Sequence, residues 1–172
     1  MIHLELSLPP QWERVSSVRD TVVSAAHAVG ISEDRAYNIG LVASELVENA
    51  IKYGTFATDD AVQVVVRVVN GLTRIVVTNP MDPSSEHAQR LRGALASVNG
   101  ASSARDAYLS RMSELLEEPA VSGVRTTSES GLGILRVAHE GGCSIHVRFP
   151  NGTAVEVTAA LRATDLDGAL VA

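Results

Sequence analysis

The sequence predicts an α+β fold, a two-layer α/β sandwich in which helices cover one face of a mixed, mostly antiparallel sheet. Two dipeptides predict the hairpins of this sheet. Asn70-Gly71 and Asn151-Gly152 each lie between two strand-like runs, and Asn-Gly in that position is a strong hairpin signal. Apolar residues recur at helical spacing over residues 11–29 and again from Ser32 to Tyr53, which predicts two amphipathic helices to cover the sheet.

The predicted elements follow the order strand, helix, helix, hairpin, helical insert, helix, hairpin. Residues 3–8 alternate polar and apolar side chains, as in a strand with one buried face. Residues 80–130 combine prolines and serines with helical stretches and form the insert. The Ser-, Thr- and Gly-rich composition of its end, residues 122–131, predicts a mobile loop. We expect one domain over residues 1–162 and a loose tail over 163–172.

Composition narrows the classes of protein to be considered. The chain has 172 residues, of which 45% are hydrophobic and 3% aromatic, enough for one aliphatic core. The formal net charge of -6 argues against a nucleic-acid-binding surface. The sequence has no apolar run long enough for a membrane span and no signal peptide, so we expect a cytoplasmic protein. The single cysteine, Cys143, excludes a disulfide framework and argues against a structural zinc site.

The most informative segment is ASELVENAIKYG, residues 43–54. At about 100° per residue, Asn38, Glu45, Asn49 and Lys52 form a narrow polar stripe beside the apolar face of their helix. Such a stripe can form a phosphate and metal site, in which Glu45 is a general base, Asn49 an oxygen ligand for magnesium and Lys52 a phosphate contact. The alternative is a solvated helix flank that meets no ligand.

Three short motifs resemble those of the GHKL ATPases, a group that includes gyrase, sensor histidine kinases and the bacterial anti-sigma-factor serine kinases. Glu45-x-x-x-Asn49-Ala50-x-Lys52 is similar to the N box of that family, in which the glutamate polarises the attacking nucleophile and the asparagine holds magnesium. The run of residues 130–134 resembles the second glycine box, in which Gly131, Leu132 and Gly133 would present backbone N–H groups to phosphate oxygens at the end of a lid. A simple loop-to-helix turn is the alternative for this motif.

Gly152-Thr153 in the last hairpin is similar to the Gly-Thr pair of the family, whose threonine supports the adenine-binding acid from behind. A β-branched residue after a turn is the alternative. Together the three motifs cover the chain from about residue 35 to 160, in the order of the family.

One motif departs from the family pattern. Where the family has D-x-G-x-G, the first glycine box, this chain has residues 79–83 with the sequence NPMDP. Asn79 replaces the acid that binds the adenine amino group, and neither glycine is present. The insert is also longer and more helical than the usual lid.

The resemblance implies an ATP-binding regulatory protein similar to an anti-sigma factor and serine/threonine protein kinase, with ATP and magnesium as cofactors. The alternative is a catalytically inactive regulator of the same fold that acts by protein contact. The implied partner is an anti-sigma-antagonist-like protein or a sigma factor, and a homodimer is compatible with the resemblance. The residues implied are Glu45 for catalysis, Asn49 for the metal, and for the nucleotide Asn49, Lys52, Asn79, Gly131, Leu132, Gly133 and Thr153.

Overall fold

The structure is a computed structural model and describes residues 1–117 and 132–162. The predicted loop at 122–131 and the predicted tail at 163–172 lie outside these residues. The described helices are α1 (Glu13–Ala28), α2 (Glu33–Tyr53), α3 (Glu86–Gly100), α4 (Ala104–Glu117) and α5 (Leu132–Glu140). None of them is long and apolar enough to cross a membrane.

The strands form one five-stranded sheet in the order β1-β2-β3-β5-β4. Their bounds are β1 (Ile2–Leu8), β2 (Val62–Val69), β3 (Leu72–Pro80), β4 (Ser144–Arg148) and β5 (Ala154–Arg162). Every pair of neighbouring strands is antiparallel, so the described part of the sheet is antiparallel throughout rather than mixed. The predicted α+β sandwich is confirmed.

Both predicted hairpins form, and each uses its Asn-Gly dipeptide to turn the chain. Asn70 and Gly71 have φ values of 49° and 77°, two consecutive left-handed residues that match the twist of the flanking strands. At the second hairpin a 3-10 turn over Pro150–Gly152 joins β4 to β5, with Asn151 at φ 55° and Gly152 at φ 66°.

The core lies between the sheet and the helices and is built from aliphatic side chains. Strand β2 illustrates the alternation: Val62, Val64 and Val66 are buried against the helices, whereas Gln63 and Arg67 on the other face are exposed. Helices α1 and α2 come into close contact at Gly40. A Cβ at this position would lie 2.6 Å from Val23 Cγ2, so a larger residue here would force the two helices apart.

The insert contributes the two helices α3 and α4, as the sequence predicts. Ser85 is the N-cap of α3, and its side chain accepts a hydrogen bond of 3.2 Å from the backbone N–H of Ala88, which satisfies one free donor of the first turn. Arg92 stacks its guanidinium 4.2 Å from the centre of the Phe149 ring and donates to the Pro83 carbonyl at 2.8 Å. The first contact joins α3 to the residue after β4, and the second joins α3 to the segment that precedes it.

Candidate functional site

The polar stripe of α2 packs along α5. Asn38 donates from Nδ2 to the Gly141 carbonyl at 3.1 Å, Glu45 forms an ion pair with Arg136, and the Asn49 carboxamide faces Gly133. As residue numbers rise along α2 they fall along α5, so the two helices run antiparallel. We call these three pairs the polar seam. The predicted stripe is therefore mainly an interhelical contact, and only its Asn49 end reaches a cavity.

Asn49 and Gly133 fit against each other with no room for another side-chain atom. A Cβ at position 133 would lie 2.8 Å from Asn49 Oδ1 and 3.1 Å from Nδ2. Asn49 Nδ2 is buried and has no hydrogen-bond partner, which is unusual because buried donors are nearly always satisfied. A buried donor with no partner beside the first turn of a helix is suited to an anionic ligand, since helix N-termini attract anions.

Glu45 does not line this cavity. Its carboxylate pairs with Arg136 Nη2, and Arg136 Nε lies 3.5 Å from Glu140 Oε2 on the same helix. The Glu45 side chain is only 16% exposed whereas that of Arg136 is 41% exposed. The acid implied to be catalytic is thus part of the polar seam and does not face the cavity.

The cavity beside Asn49 has mainly apolar walls from both layers and from α3. Its volume is about 70 Å³, below the roughly 300–1,000 Å³ of sites that hold small-molecule ligands. The sheet contributes Val77, Asn79, Val155 and Val157; α2 contributes Leu46, Asn49, Ala50 and Tyr53; and α3 contributes His87, Arg90, Leu91 and Ala94, with Met81, Gly133 and Ile134 completing the walls. Helix α3 therefore forms one wall of a small cavity.

Asn79 lies near the end of β3, on the face of the sheet that is covered by the helices, and is 2% exposed. Its Nδ2 donates to the Pro80 carbonyl at 2.9 Å, and it is paired in register with Val155. Met81, which stands at the position of the family glycine, is buried at 4% exposure, and its N–H donates to the Thr153 carbonyl at 3.1 Å.

The structure places Thr153 and Lys52 away from the roles that the resemblance implies. Thr153 is exposed, and its backbone carbonyl accepts from the Met81 N–H. The residue paired with Asn79 is Val155. Lys52 Nζ lies 5.0 Å from the Tyr53 ring centroid, and Lys52 is not among the residues that line the cavity. Leu132 begins α5, and Gly131 lies outside the described residues.

The chemical character of the residues that line the cavity suits a purine nucleotide, although the cavity volume of about 70 Å³ is too small to hold one. Apolar walls accommodate a flat ring, the Asn79 carboxamide can meet a base edge, and Asn49 and the first turn of α5 can meet phosphate oxygens. Within the described residues no three His, Cys, Asp or Glu side chains are grouped to hold a metal ion. Asn49 Oδ1 fits magnesium, which takes few protein ligands when phosphates supply the rest.

Sequence reasoning missed Arg136 and the residues of α3. Arg136 lies three residues after Gly133 on α5. Its partner, Glu45, can be identified only from the packing of α5 against α2. The sequence predicts helical stretches in the insert, yet their spacing does not indicate which cavity they cover.

An antiparallel sheet covered by helices on one face, with Asn49, Gly133 and a cavity between the two layers, is typical of an ATPase domain of the GHKL type. The family model described as histidine kinase-like ATPase domain matches residues 8–139, and the chain belongs to that family. No curated protein matches the chain.

Proposed function

We propose that this chain is an ATP-binding regulatory protein that acts on a partner protein, in the manner of an anti-sigma factor with serine/threonine kinase activity. The observation that carries the proposal is the buried, unpartnered Asn49 Nδ2 beside Gly133, at the border of a cavity that also contains Asn79. The partner would be an anti-sigma-antagonist-like protein or a sigma factor.

Different residues of the cavity would contact different parts of the nucleotide. The Asn79 amide can accept from the adenine amino group and donate to the neighbouring ring nitrogen. Asn49 and the first backbone N–H groups of α5 would hold phosphate oxygens. Magnesium, when bound, neutralises phosphate charge, and Asn49 Oδ1 would hold it. For a nucleotide to enter, the wall formed by α3 must move outward.

Phosphoryl transfer would require Glu45. Its carboxylate would accept the proton of a partner Ser or Thr hydroxyl while that oxygen bonds to the γ-phosphorus. The bond from phosphorus to the β-phosphate oxygen breaks, and ADP leaves. Because Arg136 occupies the Glu45 carboxylate, the carboxylate must exchange this ion pair for the substrate hydroxyl.

A second candidate function is a regulator that uses the same fold for protein contact without catalysis. Two observations favour it: the Glu45 carboxylate is already paired with Arg136, and Met81 occupies, as a buried side chain, the position where the family has glycine. Under this alternative the partner is sequestered, not phosphorylated.

Isothermal titration with ATP and ADP, each with and without magnesium, tests the proposal directly. We expect a dissociation constant of tens to hundreds of micromolar, about -5 to -6 kcal/mol, and loss of the magnesium-dependent part in Asn49→Ala. Absence of binding by the native protein at millimolar ATP would sink the ATP-binding proposal. If ATP binds, Glu45→Gln separates the two candidates: in a kinase it abolishes ATP turnover while affinity stays within a few-fold.

A further inference from the structure

The face of the sheet opposite the helices carries a cluster of arginines with no acidic partner among the described residues. Arg67 on β2 and Arg74 on β3 are directly opposite each other in register. Arg74 is opposite Ala160 on β5, and Arg162 follows two residues later on the same face. All three arginines are exposed. We call them the arginine cluster.

Placing Arg67 opposite Arg74 is unfavourable for the isolated chain, because like charges at directly opposed positions repel each other. Neither Glu5 nor Glu156, the two described acids on this face, forms an ion pair with the arginine cluster. Glu5 is hydrogen-bonded to His3 at 2.8 Å, and Glu156 pairs with Arg148 through two contacts of 2.6 and 2.9 Å. The arginine cluster therefore forms a local positive surface on a chain whose formal net charge is -6.

Apolar side chains flank the arginine cluster on both sides. Val65 and Val76 form the neighbouring cross-strand pair towards the middle of the sheet, and Val69 and Leu72 form the pair at its end. Val69 is 45% exposed and Leu72 is 40% exposed. The surface thus offers a positive row between two apolar rows, a pattern suited to carboxylates flanked by apolar side chains.

We propose that this face binds an acidic segment of a partner protein, whose Asp or Glu side chains pair with Arg67 and Arg74 while apolar neighbours cover the two valine-containing rows. Charge complementarity identifies the occupant. A second copy docked face to face about a two-fold axis would bring the same arginines to the same interface, while its Glu5 and Glu156 are already paired. The net negative charge of the chain disfavours nucleic acid.

This inference rests on the proposed function only in requiring a partner protein. The arginine cluster and the Asn49–Gly133 site lie on opposite faces of the sheet, so each can fail without the other. The test needs no nucleotide: loss of ATP binding would leave it unchanged.

The probe is a short synthetic peptide in which Glu and Leu alternate, compared with the same peptide carrying Gln for every Glu. We expect the Glu peptide to bind the full chain with an affinity that falls as salt is raised. Binding should weaken about tenfold in the double variant Arg67→Gln with Arg74→Gln. Arg105→Gln, which removes an exposed arginine from α4, is the matched control and should bind like the native chain.

Three results would overturn the proposal: equal binding of the Gln peptide, unchanged binding in the double variant, or tighter binding of a single-stranded oligonucleotide through the same arginines.

A chain ending at Arg162 provides a further comparison, because residues 163–172 include Asp165 and Asp167. If that chain binds the Glu peptide more than tenfold tighter than the full chain, the tail rather than a partner occupies this face. The melting temperature of the double variant should equal or exceed the native value, which excludes misfolding as the cause of lost binding.

Discussion

Asn49 and Gly133 are matched to each other across the polar seam: the space that a Cβ of residue 133 would fill is taken by the Asn49 carboxamide, 2.8 Å away at Oδ1. Glycine at 133 thus permits the asparagine to lie at the cavity border, and the asparagine leaves no room for a larger residue. The two motifs that the sequence offers separately, the N box and the second glycine box, meet at this contact.

Gly133→Ala should weaken ATP binding about tenfold, and the clash of its Cβ with the Asn49 amide should cancel the stability that alanine usually adds to a helix. The new methyl group turns the Asn49 amide away, while alanine in a helix is favoured over glycine by up to about 1 kcal/mol. In an Asn49→Ala background the same change should raise stability and have no further effect on binding. Titration calorimetry and urea unfolding measure the two quantities.

Gly93→Ala in α3 is the matched control, because a Cβ there meets nothing within 4 Å. It should gain stability and keep native affinity. If Gly133→Ala weakens binding equally with and without Asn49, the contact between the two residues is not the cause.

Arg136→Met should lower the free energy of unfolding by about 1–3 kcal/mol, because it leaves the largely buried Glu45 carboxylate without its charged partner. Adding Glu45→Gln should recover most of this loss, since the uncompensated charge disappears. Urea denaturation of the two single variants and the double variant measures the coupling.

The control for Arg136 is Arg90→Met, which removes an exposed ion pair to Glu86 within α3, with a 2.6 Å separation. We expect a change of about 0.5 kcal/mol or less there. A loss at Arg136 no larger than at Arg90 would contradict the importance of the Glu45 ion pair.

Asn79→Asp should destabilise the ligand-free protein yet tighten ATP binding. The carboxylate cannot donate to the Pro80 carbonyl as the amide does, and a buried charge is costly. Because the Thr55 N–H also donates to that carbonyl at 2.9 Å, we expect a loss of about 1–3 kcal/mol rather than unfolding. The charge-assisted bond to the adenine amino group would then recover part of that cost.

Thermal shift with and without ATP checks the Asn79 prediction. Asn38→Asp, which also replaces an amide donor to a carbonyl but lies at the far end of the polar seam, is the control and should not change ATP affinity. A uniform loss of affinity in both variants would mean that Asn79 does not face the base.

Arg92→Ala should raise apparent ATP affinity about threefold or more. It removes the stacking of Arg92 on Phe149 and the hydrogen bond to the Pro83 carbonyl, so the state in which α3 is displaced becomes more populated. Gln89→Ala, which loses a 3.3 Å contact to Ser84 near the start of the same helix, should leave affinity unchanged. Weaker binding in Arg92→Ala would argue that the cavity does not open through α3.

Cys143 should be nearly inert in the folded protein. Burial raises the pKa of this thiol from 9.0 to about 12, which lowers the thiolate fraction at pH 8 about a thousandfold. Iodoacetamide should therefore label the folded chain at least a hundredfold more slowly than the chain in denaturant, as followed by mass spectrometry. Comparable rates in the two states would mean that the segment before β4 opens readily.

The element order and the turns could be predicted because their causes are local. Alternation in β1, the Asn-Gly turns and the apolar face of α2 are visible within a few residues of sequence. Which faces of the helices meet is a property of the assembled layers. The polar stripe of α2 looked like a ligand site or a solvated flank, and it is largely a contact with α5.

The candidate site could be predicted only in part for the same reason. Asn49 and Gly133 were found because each belongs to a short motif. The pairing of Glu45 with Arg136 joins residues 91 positions apart, and the covering of the cavity by α3 depends on how the insert folds back. The spacing of residues along the chain predicts neither the contact between Glu45 and Arg136 nor the position of α3 over the cavity.

The polar seam also sets which parts of the domain can move. Asn38, Glu45 and Asn49 hold α5 at three heights, so sliding α5 along α2 by one turn, about 5.4 Å, would break all three contacts together. These contacts therefore oppose movement of α5 along α2. If nucleotide entry requires a helix to move, we therefore expect α3, which begins after its N-cap Ser85, to move rather than α5.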